Sequence, residues 1–237
     1  MSAFSKLLRW LVQLFSSVKV SSLASTTAGE SGFPHGSKSS YDDEVKTTAE
    51  EKGKMKIAIS SGHGLRVRGA SGFIDEVDEA RRVTDKVAQL LRDAGHECVV
   101  FHDDASTTSN ANLAVIVNMH NAEERDIDVS VHFNAFSDPA AHGTEVLYRT
   151  PESEELAEKT ARAMSAAGGF RLRPAQGGAR RQGTALRRDL FVLNNLTAKP
   201  TILLEVCFVT NQGDAALYNK NFDSICQAIA NSFKQEE

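Results

Sequence analysis

Two histidines stand at the exits of apolar runs: His63 in Ile57-Ala58-Ile59-Ser60-Ser61-Gly62-His63-Gly64, and His132 in Val129-Ser130-Val131-His132-Phe133-Asn134-Ala135. Between them an acidic cluster, Asp75-Glu76-Val77-Asp78-Glu79, opens a helical pattern. Two imidazoles at strand ends, with a carboxylate at a helix start, have the ligand chemistry of a catalytic zinc site that leaves one position open. Gly62 and Gly64 flank the first histidine, which frees the backbone to turn sharply and leaves room for an ion and a substrate against the main chain. A phosphatase built on a histidine after its first strand needs an arginine directly before it to hold phosphate, and that place is taken by Gly62.

A fourth residue stands out. Glu205 lies inside Ile202-Leu203-Leu204-Glu205-Val206-Cys207-Phe208, a run that reads as a strand buried on both faces. Burying a lone carboxylate is costly unless a partner or a metal compensates. Beside a metal-activated water, such a glutamate has the properties of a general base that takes a proton from water and returns it to a leaving amine. A structural salt bridge to a loop arginine is the alternative.

The elements that must position these residues follow from periodicity. Strands are predicted at Lys56 to Ser60, Glu97 to Phe101, Ile127 to Phe133, Thr144 to Tyr148 and Thr201 to Val209. Helices are predicted at Val77 to Ala94, Asn110 to Ala122, Ser153 to Ala167, Leu190 to Leu196 and Phe222 to Phe233. The alternation predicts one α/β domain of three layers, a twisted and mostly parallel sheet flanked by helices. In such sheets ligands bind at the carboxyl ends of the strands, where His63, His132 and Glu205 are expected to share a crevice.

With 237 residues, 41% hydrophobic and 24% charged, the chain has material for one ample domain and an appendage. A net charge of -4 and 7% aromatic residues give neither a pull toward nucleic acid nor a stacking platform, so no nucleic-acid partner is expected. Cys98, Cys207 and Cys226 are odd in number and lie in apolar stretches, which argues against a disulfide framework and for folding in a reducing compartment. Residues 1–20 differ from the rest. Phe4, Leu7, Leu8, Leu11, Phe15 and Val18 recur at helical spacing with Lys6, Arg9 and Lys19 as cations. This reads as an amphipathic helix, too short and polar to span a bilayer, that suits a membrane surface through residues 4–18, an atypical signal segment, or packing on the domain. Residues 21–54 read as a disordered linker and 55–237 as the catalytic domain.

These motifs, in this order, resemble the zinc-dependent N-acetylmuramoyl-L-alanine amidases of the amidase-3 type, which occur among bacterial cell-wall hydrolases and phage endolysins. The matching residues are Ser61-Gly62-His63-Gly64, Glu76 with the helix running to Ala94-Gly95, Ser130 to Ala135 followed by Gly143-Thr144-Glu145, and Leu204 to Asn211. Val206-Cys207 stands where Leu-Gly is more usual. The resemblance covers Met55 to the C-terminus. It implies that His63, Glu76 and His132 bind one Zn2+ and that Glu205 is the catalytic acid/base. Counting back from Gly95 brings Glu76 onto the ligand position, with Glu79 as the fallback. The implied substrate is peptidoglycan, cut at the amide between N-acetylmuramic acid and the L-alanine of the stem peptide, by an enzyme made in the bacterial cytoplasm and acting on the wall or exported to it. A zinc peptidase acting on wall peptides and a non-catalytic wall-binding or amidase-activating module are the alternatives.

Asn134 is expected to contact substrate. So is the arginine-rich stretch containing Arg171, Arg173, Arg180, Arg181, Arg187 and Arg188, which precedes the Glu205 strand. Guanidinium groups bind the free carboxylates of stem peptides bidentately, and Arg187 and Arg188 are expected nearest the site. His102, His120 and His142 are read as structural or solvated.

Overall fold

Apolar residues recurring at every second position commit a segment to a strand with one face in the core, and those at three- and four-residue spacing commit the segments between to helices. The computed structural model describes residues 53–173, the backbone of 185–187, and residues 190–234. The elements run β1 (Lys56–Ser61), α1 (Glu76–Asp93), β2 (Glu97–Phe101), α2 (Ser109–His120), β3 (Ile127–Asn134), β4 (Glu145–Tyr148), α3 (Pro151–Gly168), β5 (Ala185–Arg187), α4 (Phe191–Asn195), β6 (Thr201–Phe208) and α5 (Gln212–Ser232). The segment 1–20 and nearly all of 21–54 lie outside the described residues.

The strands form one sheet in the order β2-β1-β3-β6-β4-β5. β1 is parallel to β2 and β3, and β3 is parallel to β6. β4 runs antiparallel to β6 and carries β5 parallel to itself. The predicted three-layer, mostly parallel α/β architecture is therefore the one observed. One face packs Ile57, Ile59, Val129, Val131, Ile202, Leu204 and Val146 against apolar stripes of α1, α3 and α5. Within α1 the stripe is Ala80, Val83, Val87 and Leu91, each with 0% exposure, and burial of each larger side chain stabilises by roughly 1.5–3 kcal/mol. On the other face smaller clusters join Leu147 and Leu203 to Leu193 of α4, and Val117 of α2 to Val192 and Leu196.

That second face also holds a buried polar chain. His120 bonds Asp128 Oδ1 through Nδ1 at 2.8 Å and Ser60 Oγ through Nε2 at 2.9 Å, while Arg125 donates to both Asp128 oxygens. A serine, a histidine and a carboxylate in this sequence resemble a nucleophile triad. All three are shut off from solvent, so no substrate reaches them, and the group serves as a fully bonded strut between α2 and the sheet. Cys98, Cys207 and Cys226 are buried free thiols.

Two elements differ from the sequence reading. The arginine-rich stretch read as loop contains β5, a three-residue strand that lacks the length to show period-two alternation. The last helix begins at Gln212 rather than near Phe222, capped by Asn211, whose side chain accepts from the Asp214 amide at 2.9 Å. Asn211-Gln212-Gly213-Asp214 carries turn-forming residues that here serve as a cap and first turn, and the helix is interrupted by non-helical angles at Asn221.

Candidate active site

The parallel strands β1, β3 and β6 end at one edge of the sheet, and α1 begins there. β1 and β3 run in register, and the Gly62 amide extends the ladder by donating to the Val131 carbonyl at 2.8 Å. This seats the His132 ring on the backbone of Gly62, where an added Cβ would fall 1.8 Å from Nε2. The connection from Gly62 to Asp75 then folds back through bridges Gly64 to Val67 and Ser71 to Asp75. Gly69, at φ +68°, passes so close to the first turn of α1 that a Cβ would lie 2.4 Å from Glu76 Oε2.

Asp75 caps α1 by accepting from the Val77 and Asp78 amides, which points the next side chain inward. Glu76 is 4% exposed. Its Oε2 accepts from the Ala70 amide at 2.7 Å, and its Oε1 lies 3.2 Å from His132 Nδ1 and 3.5 Å from His63 Nε2. The structure thus brings His63, Glu76 and His132 together, with one donor atom of each within 4.8 Å of the others. Donor atoms held tetrahedrally at about 2.1 Å from one ion stand about 3.4 Å apart, so these two separations suit a divalent metal with two nitrogens and one oxygen. Glu79 is engaged elsewhere, accepting from the Tyr218 hydroxyl at 2.8 Å and pairing with Arg82.

Electrostatics favour the ligating form at two of the three donors, His63 and Glu76. Burial and the neighbouring His132 hold the His63 imidazole below its ordinary pKa, favouring the neutral, ligating form. Burial works against the Glu76 carboxylate, but His132 and His63 outweigh it and keep the group ionised. Burial likewise opposes charge on His132, where the hydrogen bond to Glu76 and the charges of Glu205 and Glu76 win and raise its pKa. His132 Nε2 lies 3.1 Å from Ser130 Oγ. A metal ion at Nδ1 would replace the proton shared with Glu76, leaving Nε2-H to donate to that hydroxyl. Ser130→Ala should weaken divalent-metal binding by about 10- to 100-fold in a competition titration, and unchanged affinity would show that the ring is oriented by Gly62 and Glu76 alone.

β3 and β6 pair His132 with Glu205, and β6 and β4 pair Glu205 with Glu145. A row of three chemical side chains therefore crosses the sheet. Glu205 is the one part-exposed residue of an otherwise buried β6, yet its Oε2 is closed to solvent and has no hydrogen-bond partner. Burial, reinforced by Glu76 and Glu145, pushes its carboxyl up to about 8 against the pull of His132 and Arg173. A carboxyl that changes protonation near neutrality, beside a metal cluster, is suited to moving a proton.

Asn134, expected on substrate, donates through Nδ2 to Glu145 Oε1 at 2.7 Å and accepts from the Ala135 amide. The backbone of Arg187 pairs with Tyr148, three residues along β4 from Glu145. Its side chain and all of Arg188 lie outside the described residues. His102 bonds Ser61 and Asp85, and His142 bonds the Ala140 carbonyl, so neither joins the cluster. Glu145 had no role assigned from sequence, and Arg173 only a share in the arginine-rich stretch expected on substrate. Glu145 sits in a noted motif, Gly143-Thr144-Glu145, but its neighbour Glu205 is sixty residues away and only the antiparallel register joins them.

The family model for N-acetylmuramoyl-L-alanine amidases of the amidase-3 type matches residues 57–235. An uncharacterized protein of Clostridium perfringens is 28% identical over 190 residues, covering 77% of this chain and 52% of its own length. The chain therefore spans about half the length of that relative. Among solved structures, the catalytic domain of the CD27L endolysin targeting Clostridia difficile superposes with a TM-score of 0.66 at 22% identity, covering 77% of this chain and 99% of that one. The catalytic domain of CwlV, an N-acetylmuramoyl-L-alanine amidase from Bacillus (Paenibacillus) polymyxa var. colistinus, gives 0.62 at 25% identity, covering 75% and 96%. On the extent of the family match, and with a metal-suited cluster at the carboxyl edge of the same fold, the chain belongs to the amidase-3 family of N-acetylmuramoyl-L-alanine amidases.

Proposed function

We propose that the domain hydrolyses the amide joining the lactyl group of N-acetylmuramic acid to the L-alanine of the peptidoglycan stem peptide, with one Zn2+ held by His63, Glu76 and His132. The observation that carries this reading is Glu205. An acid with a buried, unpartnered oxygen stands next to His132 across the sheet, and a binding module has no use for it. Two imidazoles and one carboxylate are the donor types of a catalytic zinc site, in which three protein ligands leave a position for water or substrate. When bound there, the ion supplies Lewis acidity that polarises a carbonyl and acidifies water.

The remaining steps belong to the chain. Glu205 takes the proton of the attacking water and delivers it to the amide nitrogen, which is a poor leaving group until protonated. Glu76, fixed by the Ala70 and Phe133 amides, keeps His132 from turning. Glu145 holds the Asn134 amide at the rim of the same crevice.

Digestion of isolated peptidoglycan decides the reading. The expected products are free stem peptides beginning with L-alanine and intact glycan strands, with loss of activity on chelation. Release of single amino acids would reassign the domain as a peptidase. Activity that survives both chelation and Glu205→Ala would reject the mechanism.

A further inference from the structure

Arg173 is placed oddly for a structural arginine. Its side chain is only 17% exposed, and its Nε is buried without a hydrogen-bond partner. The nearest acidic atom, Glu145 Oε2, is 3.7 Å from Nε, too long for a hydrogen bond. The other Glu145 oxygen is committed to Asn134. The guanidinium lies over the Phe208 ring, 4.6 Å from its centroid, which holds the plane in place. A guanidinium has five N-H donors, and its Nε-H is here a buried donor with no hydrogen-bond acceptor among the described residues, a costly arrangement.

The backbone explains where this cation stands. The Arg173 amide donates to the Thr144 carbonyl and the Thr144 amide to the Arg171 carbonyl, so residues 171–173 run beside the start of β4. Gly143, at φ +107°, permits that approach, since a Cβ there would meet the Arg171 carbonyl oxygen at 2.2 Å. The row across the sheet then reads His132, Glu205, Glu145, Arg173. Two strand spacings, about 10 Å, separate the proton-transfer group from the cation. An extended peptide advances about 3.3–3.6 Å per residue, so a ligand leaving Glu205 along this row meets Arg173 within about three residues.

We propose that Arg173, stacked on Phe208 and steadied by Glu145, is the subsite that binds the free carboxylate nearest the scissile amide of the stem peptide, making the enzyme selective for an uncapped acid there. This rests on the amidase reading. Glu145 lies on the Nε edge of the guanidinium, and the terminal nitrogens, which are not among the buried unpartnered atoms and make no hydrogen bond to a described residue, present the fork that bidentate carboxylate recognition requires. Glutamine cannot supply that fork or its charge.

The test uses two muropeptides that differ only in whether this carboxylate is free or converted to a carboxamide. The full chain is expected to prefer the free acid by about 10- to 100-fold in kcat/KM, carried by KM. Arg173→Gln should erase the preference, bringing the ratio to about one. Binding of both ligands to the zinc-loaded Glu205→Gln protein, followed by calorimetry, should show the same preference without turnover. A full chain that does not discriminate, or a folded Arg173→Gln protein that still does, overturns the proposal. If neither muropeptide is cut, the amidase reading fails on its own, and the binding arm still decides whether Arg173 selects the carboxylate.

Discussion

Glu205→Gln is expected to lower turnover by about 10²- to 10⁴-fold while raising the stability of the chelated protein at neutral and alkaline pH. Glutamine keeps the shape of the side chain and the three metal-binding residues, so metal content should stay at one ion per chain. What is lost is the proton that must travel from water to the leaving nitrogen. The stability gain comes from the same burial. The folded-state pKa of Glu205 is raised to about 8 from an ordinary 4.5, so between those values the folded chain retains a proton that the unfolded chain has already lost. Folding stability attributable to this group therefore falls as pH rises from about 5 to 8 and levels off above that, by an amount on the order of a few kcal/mol. A glutamine contributes no such slope. Denaturant titrations of both chelated proteins from pH 5 to 9 should diverge with rising pH, and parallel curves would show that Glu205 is not held in a charge-excluding environment.

Gly62→Ala is expected to abolish metal binding and activity together. The added methyl would sit 1.8 Å from His132 Nε2 and 2.0 Å from Cε1. The ring has no free direction of retreat, because Nε2 meets Ser130 and Nδ1 meets Glu76. The cost is steric, about 1–3 kcal/mol of overpacking, and it moves a ligand rather than a core side chain. Affinity for a divalent metal should fall at least about 100-fold, more than loss of the Ser130 hydroxyl produces. Gly53→Ala, where nothing lies within 4 Å of the new methyl, is the control and should bind metal normally. Normal metal binding by Gly62→Ala would remove His132 from the ligand set.

The pair of predictions shows which parts of the site short-range sequence could carry. His63, Glu76, His132 and Glu205 were visible because each breaks a local pattern: a histidine ends an apolar run, an acid opens a helix, a carboxylate interrupts a buried strand. The register that makes Glu76 rather than Glu79 face the histidines followed from the family resemblance, and the structure gives its cause in the Asp75 cap and the Tyr218 hydroxyl that occupies Glu79. Arg173 was one of six similar arginines in one stretch, with nothing local to separate it from Arg187 or Arg188. His120, read as structural or solvated, is structural, but its partners Asp128 and Ser60 in the interior were not legible from the sequence.

By itself, then, the chain's sequence determined the α/β class, the order of its main elements and the residue types of a metal hydrolase, because these depend on periodicity and composition within a few residues. Only the tertiary structure decided which groups touch. Strand register sets Glu145 and His132 on either side of Glu205, backbone packing makes Gly62 the seat of His132, and a short segment laid along β4 brings Arg173 to the end of the row. These contacts join residues tens of positions apart, and their energies arise from sheet pairing and close packing, which no local pattern records.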